Sequence, residues 1–508
     1  MKRRKFIFQT GAGVFGMMPV FSRLFASPTA VAAGEGPFLA TGIKIGEVDG
    51  TSAVVWARLT KDAAPVDNKR SIPTVLYLDE AVGEWHPVSY FKEKYKQDRP
   101  DREVKVVYPD GCDVHTLHGA APGAPGFVRV SIRKKGMRGW QAGEWNGVDE
   151  QHDYTFQSRV SGLEADTVYE VKVEARGKSS GRVTAGMEGV FRTAIPADKQ
   201  KEVRFTVTTC HEYNDMDDPG KGFKIYRHMQ ALDPAFMVHT GDVIYYDHWA
   251  KDLPMAYWGW QRMFSLETCR EFYSKVPCYF MKDDHDTWMN DCYPGWNNRF
   301  MGKFTFGQGV EAFRRQVPYG DVPYRTFRWG KDLQIWVTEG REYRSPNTME
   351  DGPDKTIWGR QQLEWFRNSF AASDATFRVL VNATPIVGPD RWQKKDNHAN
   401  SGFAHEGNLI REFLAAQKNA FIVCGDRHWQ YASKELKTGL MEFACGPGSN
   451  EHASGWDKNN VLPEHRYLNI VGGFLGVEVR PAAEGARIVF THYGVDGETL
   501  HREEFAAV

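Results

Sequence analysis

From about residue 37 to 195, apolar positions alternate with polar ones in short runs, the period of two that marks strands half-buried on a sheet. Ser52-Ala53-Val54-Val55-Trp56-Ala57-Arg58 is one such run, and 155–160 and 167–175 repeat the pattern. Between about 62 and 150 it breaks into text rich in Lys, Asp and Gly, which predicts insertions or long loops. Beyond residue 200 the texture changes. Short apolar runs at 203–208, 236–239, 278–281, 378–381 and 421–423 are separated by helical patterns at 223–232, 358–371 and 409–416. Strand–helix alternation of this kind predicts a layered α/β domain. The stretch 468–494 is again β in character, with Gly472-Gly473 as a turn, and no internal repeat is visible. Ala194-Ile195-Pro196-Ala197-Asp198 reads as a linker, so the expected division is a β domain over 37–195 and an α/β domain over 200–508.

Gly162-Leu163-Glu164-Ala165-Asp166-Thr167-Val168-Tyr169 resembles the leucine-then-tyrosine strand entry of fibronectin- and immunoglobulin-like sandwiches, where the tyrosine bonds back to the backbone at a corner. The first domain is therefore expected to be an all-β sandwich. A length of 508 residues agrees with more than one domain, and 41% hydrophobic residues supply material for several cores. Sixteen tryptophans are many for that length; they serve either packing or the grip of sugar or nucleoside rings.

Net charge changes the picture at one end only. Residues 1–33 carry five basic side chains and no acidic one, and without them the formal charge of −1 falls to about −6. A mildly acidic chain with no basic block has no electrostatic reason to seek nucleic acid. The first residues read Lys2-Arg3-Arg4-Lys5-Phe6-Ile7, then a glycine-broken apolar stretch over 8–25, then Ala30-Val31-Ala32. Charged start, short apolar middle and small-x-small end describe a signal peptide. The paired arginines before Phe-Ile resemble the twin-arginine signal, whose export machinery carries folded proteins, so a metal site can be filled before export. Periplasmic or extracellular localisation follows as an expectation, with no stable membrane anchor once the segment is removed, because the apolar run is marginal for a bilayer. Seven cysteines lack zinc-finger spacing and leave at least one unpaired; Cys210 is the candidate.

Ligands of open α/β sheets bind where loops leave the carboxyl ends of strands. Four such points carry metal-ligand chemistry. Thr208-Thr209-Cys210-His211 offers a thiolate, although a lone strand-end cysteine is usually a small buried hydrophobe. Thr240-Gly241-Asp242-Val243-Ile244-Tyr245-Tyr246-Asp247 offers a carboxylate able to bridge two cations. Tyr245 is there either a phenolate ligand or a packed aromatic. Lys282-Asp283-Asp284-His285-Asp286 crowds three carboxylates around one histidine, an arrangement that repels itself without a cation. Gly425-Asp426-Arg427-His428 projects Asp426 and His428 to the same side of an emerging strand.

Taken in order, Cys210, Gly-Asp-x-x-Tyr at 241–245, Asp-Asp-His-Asp at 283–286 and Gly-Asp-x-His at 425–428 resemble the alkaline phosphatase D, or PhoD-like, family. These are calcineurin-like metallophosphoesterases akin to purple acid phosphatases. Lys221-Gly222-Phe223, Trp358-Gly359-Arg360-Gln361-Gln362-Leu363 and Trp56-Ala57-Arg58 extend the resemblance over nearly all of the chain after the signal segment. It implies a metallophosphoesterase-like αββα sandwich behind the β domain. It also implies an iron(III) site of Cys210, Asp242, Tyr245 and His428. Asp242 is then shared with a calcium-type site that includes Asp284 and Asp426. Thiolate and phenolate suit a trivalent ion, and carboxylates a hard divalent one. His285 is expected beside the leaving-group oxygen, with Arg427 or Lys282 as further stabilisers. Two departures touch substrate preference rather than ligation: Lys282 stands where the family carries an apolar or aromatic residue, and Thr209 where it carries Ser.

The insertion over 287–330, rich in Trp, Asn, Gly and Tyr, forms either a lid, a ring-binding wall or a loop packed on the sheet. His228, His239, His398 and His405 read as structural or surface histidines, and Asn382 stays outside the ligand set. No Gly-x-Ser-x-Gly elbow, P-loop or dinucleotide fingerprint is present. The expected activity is hydrolysis of a small-molecule or glycan phosphate ester. Two alternatives are sulfate-ester or sulfated-glycan hydrolysis at the same site, and a non-catalytic exported binding protein with a vestigial site.

Overall fold

Side chains on neighbouring strand positions point to opposite faces, and here that alternation sorts the core into layers. The structure, a computed structural model, describes residues 35–508, so the expected signal segment lies outside the described residues. Phe205, Val207, Phe236, Val238 and Tyr279 enter one buried cluster, which Ile335, Val337, Val379, Val381, Phe421 and Val423 enter from the opposite side. The residues between them turn outward. Met237, Cys278 and Phe280 pack beneath Ile225–Ala231, Leu253–Phe264, Glu267–Tyr273 and Phe306–Gln316. Trp336, Leu380 and Ile422 pack beneath Gly359–Ala371 and Ala404–Ala415. Two sheets thus face each other with helices outside, the expected αββα order. Strands covered on both faces are buried throughout and mainly apolar, as Phe236–His239 and Phe377–Asn382 are.

The first sheet has nine strands, in the order Thr499–Ala506, Gly485–Tyr493, Phe474–Ala482, Val203–Thr208, Phe236–His239, Cys278–Phe280, Ile43–Gly46, Ser52–Arg58, Thr155–Ser161. Its centre is parallel, with Thr208 beside His239 and His239 beside Phe280. In the seven-stranded second sheet, Leu333–Val337, Phe377–Asn382, Ala420–Cys424 and Met441–Cys445 are likewise parallel.

The 37–195 segment differs from a freestanding all-β domain. Ile43–Gly46 pairs in parallel with Cys278–Phe280, so three strands of this segment continue the nine-stranded sheet across the expected boundary. Gly126–Lys134, Val168–Arg176 and Ala185–Arg192 belong to a five-stranded sheet whose Val128, Val130, Val171 and Val173 share a core with Ile43, Ile45, Val55 and Ala57. No separate β domain is thereby set apart, and Gly36–Val508 forms one compact unit. The irregular text of 62–150 holds a three-stranded sheet and the helix Val88–Tyr95. The tyrosine corner forms as expected, with Glu164 N–H donating to Tyr169 Oη at 2.9 Å.

Residues 287–304 mostly pack rather than hang free. Trp288, Met289, Cys292, Phe300, Met301 and Phe304 are buried beneath the helices, while Tyr293 and Trp296 stack 5.1 Å apart at a partly open edge. All seven cysteines are free thiols. Among the described residues, no helix is long and apolar enough to cross a membrane.

Candidate metal centre

Because Val203–Thr208, Phe236–His239 and Cys278–Phe280 run parallel, their carboxyl ends release 209–211, 240–245 and 282–286 at one edge. Ala420–Cys424 of the facing sheet delivers 425–428 to the same place. The backbone turns there at a cost. Cys210, Asp242 and Asp426 sit at φ +52°, +56° and +63°, a region unfavourable for L-residues by roughly 1–2 kcal/mol each. Three expected ligands in that conformation mark backbone aimed at a purpose other than packing. Gly241 makes the approach possible: at φ +105°, a β-carbon there would lie 2.6 Å from Asp283 Cβ. A β-carbon on Gly425 would lie 2.7 Å from Thr209 Oγ1.

The four motifs converge. Cys210, Asp242 and His428 offer donor atoms within 4.8 Å of one another, as do Asp242, Asp284 and His285, and Asp242, Asp283 and Asp426. Asp242 belongs to all three groups. Cys210 Sγ lies 3.4 Å from Asp242 Oδ2, and the Tyr245 hydroxyl 3.5 Å from His428 Nε2. The expected pairing of Asp284 with Asp426 is finer in the structure: Asp283 groups with Asp426, and Asp284 with His285. Asp283 was legible only as a member of its motif.

Electrostatics divide the donors. Burial pushes the Cys210 thiol well up, and Asp242 adds to it. Burial likewise raises Tyr245, with Cys210 and Asp242 reinforcing. The Asp242 carboxyl is raised by burial and then by Asp284, Asp283 and Asp286. Burial and His452 keep His428 neutral. Asp284 behaves differently. Burial alone would raise it, yet Arg341 and His285 hold it below the usual range. Asp283 is raised to about 6 by burial, against the pull of Arg341, and its Oδ2 is buried without a hydrogen-bond partner. Buried acids held up beside an unpartnered carboxylate oxygen fit cations, whose charge would lower the raised thiol, phenol and carboxyls and keep His428 neutral.

Around the donors, other side chains fix orientation. His285 Nδ1 bonds Asp247 Oδ1 at 2.8 Å, leaving Nε2 for the site. Burial alone would lower the imidazole, but Asp247 and Asp284 raise it. Asp286 is structural: its oxygens accept from Val243 N at 3.0 Å and Asp283 N at 2.6 Å. Arg341 Nε donates to Asp283 Oδ1 at 2.6 Å. Arg427, fully buried, pairs with Asp426, with Asp390 at 2.9 Å and with Asp396 at 3.5 Å. It is thus engaged with three carboxylates, of which Asp426 is a candidate ligand. Lys282 is buried between Glu339 and Glu342. Asn382 serves the fold, accepting from Thr338 and donating to Thr384 O.

His239 pairs with His211 at 3.0 Å, and His398 with Glu406 at 2.9 Å, both as structural histidines. Sequence reasoning missed His452, whose Nε2 lies 2.8 Å from the Tyr245 hydroxyl and whose Nδ1 lies 2.7 Å from Asp215. Its one signal is the Pro447-Gly448-Ser449 loop after the strand Met441–Cys445. It also gave no role to Asp247, five residues beyond Asp242.

Comparison with known proteins agrees with this geometry. The model of the family described as PhoD-like phosphatase matches residues 205–466, a little more than half of the chain. Alkaline phosphatase D of Bacillus subtilis (strain 168) is 22% identical over 389 residues, covering 62% of this chain and 62% of that protein. The match therefore spans less than two thirds of the relative's own length. A solved structure of PhoD superposes with a TM-score of 0.67 at 16% identity, covering 93% of this chain and 90% of that one. The purple acid phosphatase from yellow lupin (Lupinus luteus) seeds gives 0.55 at 12% identity, covering 89% and 79%. At these identities the structural likeness speaks for the fold.

Proposed function

The chain belongs to the PhoD-like phosphatase family, and from that premise we propose that it is an exported, metal-dependent phosphoester hydrolase. The observation that carries the reading is the sharing of Asp242 by three buried donor groups at one sheet edge. Cys210, Asp242, Tyr245 and His428 would hold iron(III), and Asp242 with Asp426, Asp284 and Asp283 a calcium-type ion. The choice of these two metals rests on the family resemblance and on the donor chemistry. Cations held there would supply a nucleophile from water at neutral pH and neutralise charge developing on the phosphoryl oxygens.

The chain's own groups do the rest. Asp247 fixes the tautomer and ring plane of His285, so that Nε2 presents a proton to the leaving oxygen. Arg427 acts through Asp426, holding its carboxylate in place, and is better described as a positioning residue than as a substrate contact. The strained turns at Cys210, Asp242 and Asp426 set the donors before substrate arrives, which is where electrostatic catalysis gains most.

Export rests on the twin-arginine-like segment over 1–33, and the substrate on the phosphate chemistry of the site. Assaying an aryl phosphate, a bis-aryl phosphate and an aryl sulfate side by side tests the reading. Turnover of at least one phosphate ester, lost on metal removal and restored by iron with calcium, is the expected result. Sulfate turnover without phosphate turnover would replace the substrate class. No turnover of any of the three by metal-replete protein would overturn the hydrolase.

A further inference from the structure

The segment 62–150 brings one charged side chain against Asp247, at the edge of the candidate metal centre. Arg99 lies in a bend just before Pro100, between the helix Val88–Tyr95 and the strand Val104–Val107. Its Nε lies 3.1 Å from Asp247 Oδ2, the carboxylate whose other oxygen holds His285. Asp247 is buried, and Asn290 N–H also donates to Oδ2 at 3.2 Å. Among the described residues the side-chain hydrogen bonding of Arg99 runs through Nε, and its side chain keeps 28% of its surface open. Beyond Asp247, the charges of Asp291 and Asp284 also act on the guanidinium and favour its charged form.

The segment is also clasped in place. Asp101 Oδ1 accepts from Arg299 N at 2.9 Å, Arg299 Nη2 donates to Asp101 O at 2.7 Å, and Arg299 Nη1 meets Glu80 at 2.8 Å. A guanidinium fixed at Nε by one carboxylate still has the two terminal nitrogens of its fork with which to meet an oxyanion.

We propose that Arg99 is a substrate-contact residue that binds oxygens of the phosphoryl group from the His285 side, with Asp247 as its anchor. The inference rests on the hydrolase reading for its substrate and deepens it: the 37–195 segment supplies part of the active site and does more than support it. One side chain then serves two ends, gripping the anion and stiffening the Asp247–His285 pair beside the leaving group.

The test uses the full chain with its metals measured, and inorganic phosphate as the probe. Arg99→Ala and Arg99→Lys are compared with the unaltered protein for phosphate binding by calorimetry and for kcat and KM on an aryl phosphate. Loss of a charged hydrogen-bonding pair weakens phosphate binding by about tenfold or more. Arg99→Lys is expected to fall between, because a point charge replaces a fork. Added guanidinium should restore part of the activity of Arg99→Ala. Metal content unchanged in Arg99→Lys keeps the result interpretable if Arg99→Ala folds poorly.

Phosphate binding within twofold of the unaltered protein in both variants would overturn the proposal. So would a fall in kcat with binding untouched, which reduces Arg99 to an aligner of His285. If the unaltered protein binds phosphate, loses that binding on substitution, yet turns over no ester, the contact stands and the hydrolase reading falls alone. A protein that binds no phosphate contradicts the contact outright.

Discussion

The two flanks of Asp242 are built on opposite principles. On one side, Cys210, Tyr245 and His428 form no ion pair among the described residues, and burial pushes the thiol and phenol up and the imidazole down. On the other, Asp283, Asp284 and Asp426 are already met by Arg341 and Arg427, both fully buried. The first flank depends on a metal to become a ligand set at all. The second keeps its shape by internal ion pairs and only completes itself with a metal. A site in which one half is preassembled and the other waits for its cation should load in a defined order, the carboxylate flank being formed first.

The sharpest way to break the comparison is to remove what both flanks share. Asp242→Asn takes the bridging carboxylate and should lower kcat by about 10³-fold or more, with both metals lost in elemental analysis. Retention of either metal at full occupancy would show that the flanks bind independently. Next in size is Arg341→Met, which strips Asp283 of its partner. Leaving one member of a buried pair alone costs about 3 kcal/mol or more, read by chemical denaturation of the metal-free protein. Cys210→Ser should by contrast leave metal-free stability nearly unchanged, because the other flank carries no such pair.

A smaller effect distinguishes the flanks by pH. The Asp283 carboxyl is raised to about 6 in the fold and titrates near 3.9 when unfolded, so the native chain binds the extra proton between those values. Stability of the metal-free protein should therefore fall as pH rises from about 4 to 6, and the penalty should persist at pH 7. Asp284 and Asp247 are depressed and work with the opposite sign; their stabilisation is lost only as pH falls below about 4. Metal-loaded protein should show no loss between 4 and 6. Thermal or denaturant midpoints across that range, with and without metals, check the sign.

The smallest change concerns His452. Asp215→Asn weakens the hold on His452, whose other nitrogen meets Tyr245. A shift in the visible band of a tyrosinate–iron(III) pair, at constant iron content, is the expected outcome, with an energetic effect near 1 kcal/mol. An unmoved band would show that His452 does not set the phenol's orientation.

The strands and their ends were legible because both obey local rules. Apolar runs of four to six residues followed by Gly-Asp or Asp-Asp-His fall where the structure ends Phe236–His239 and Cys278–Phe280. What stayed hidden is non-local. Nothing in Arg99, Arg341 or His452 as text announces a partner 148, 58 or 207 residues away. The same limit explains the domain boundary. Alternation over 43–58 correctly spells strands, but period alone does not say which sheet they join, and Ile43–Gly46 joins the one carrying the site. For Arg427 the place beside Asp426 was plain, while its partners Asp390 and Asp396 come from a loop with no periodic signal.

The most direct test of the two-flank account is the metal content of the active protein, measured by elemental analysis with the visible spectrum of the same sample. The account predicts iron together with a second cation such as calcium, and a coloured band that Tyr245→Phe abolishes. A colourless, iron-free protein with full phosphoesterase activity would contradict it.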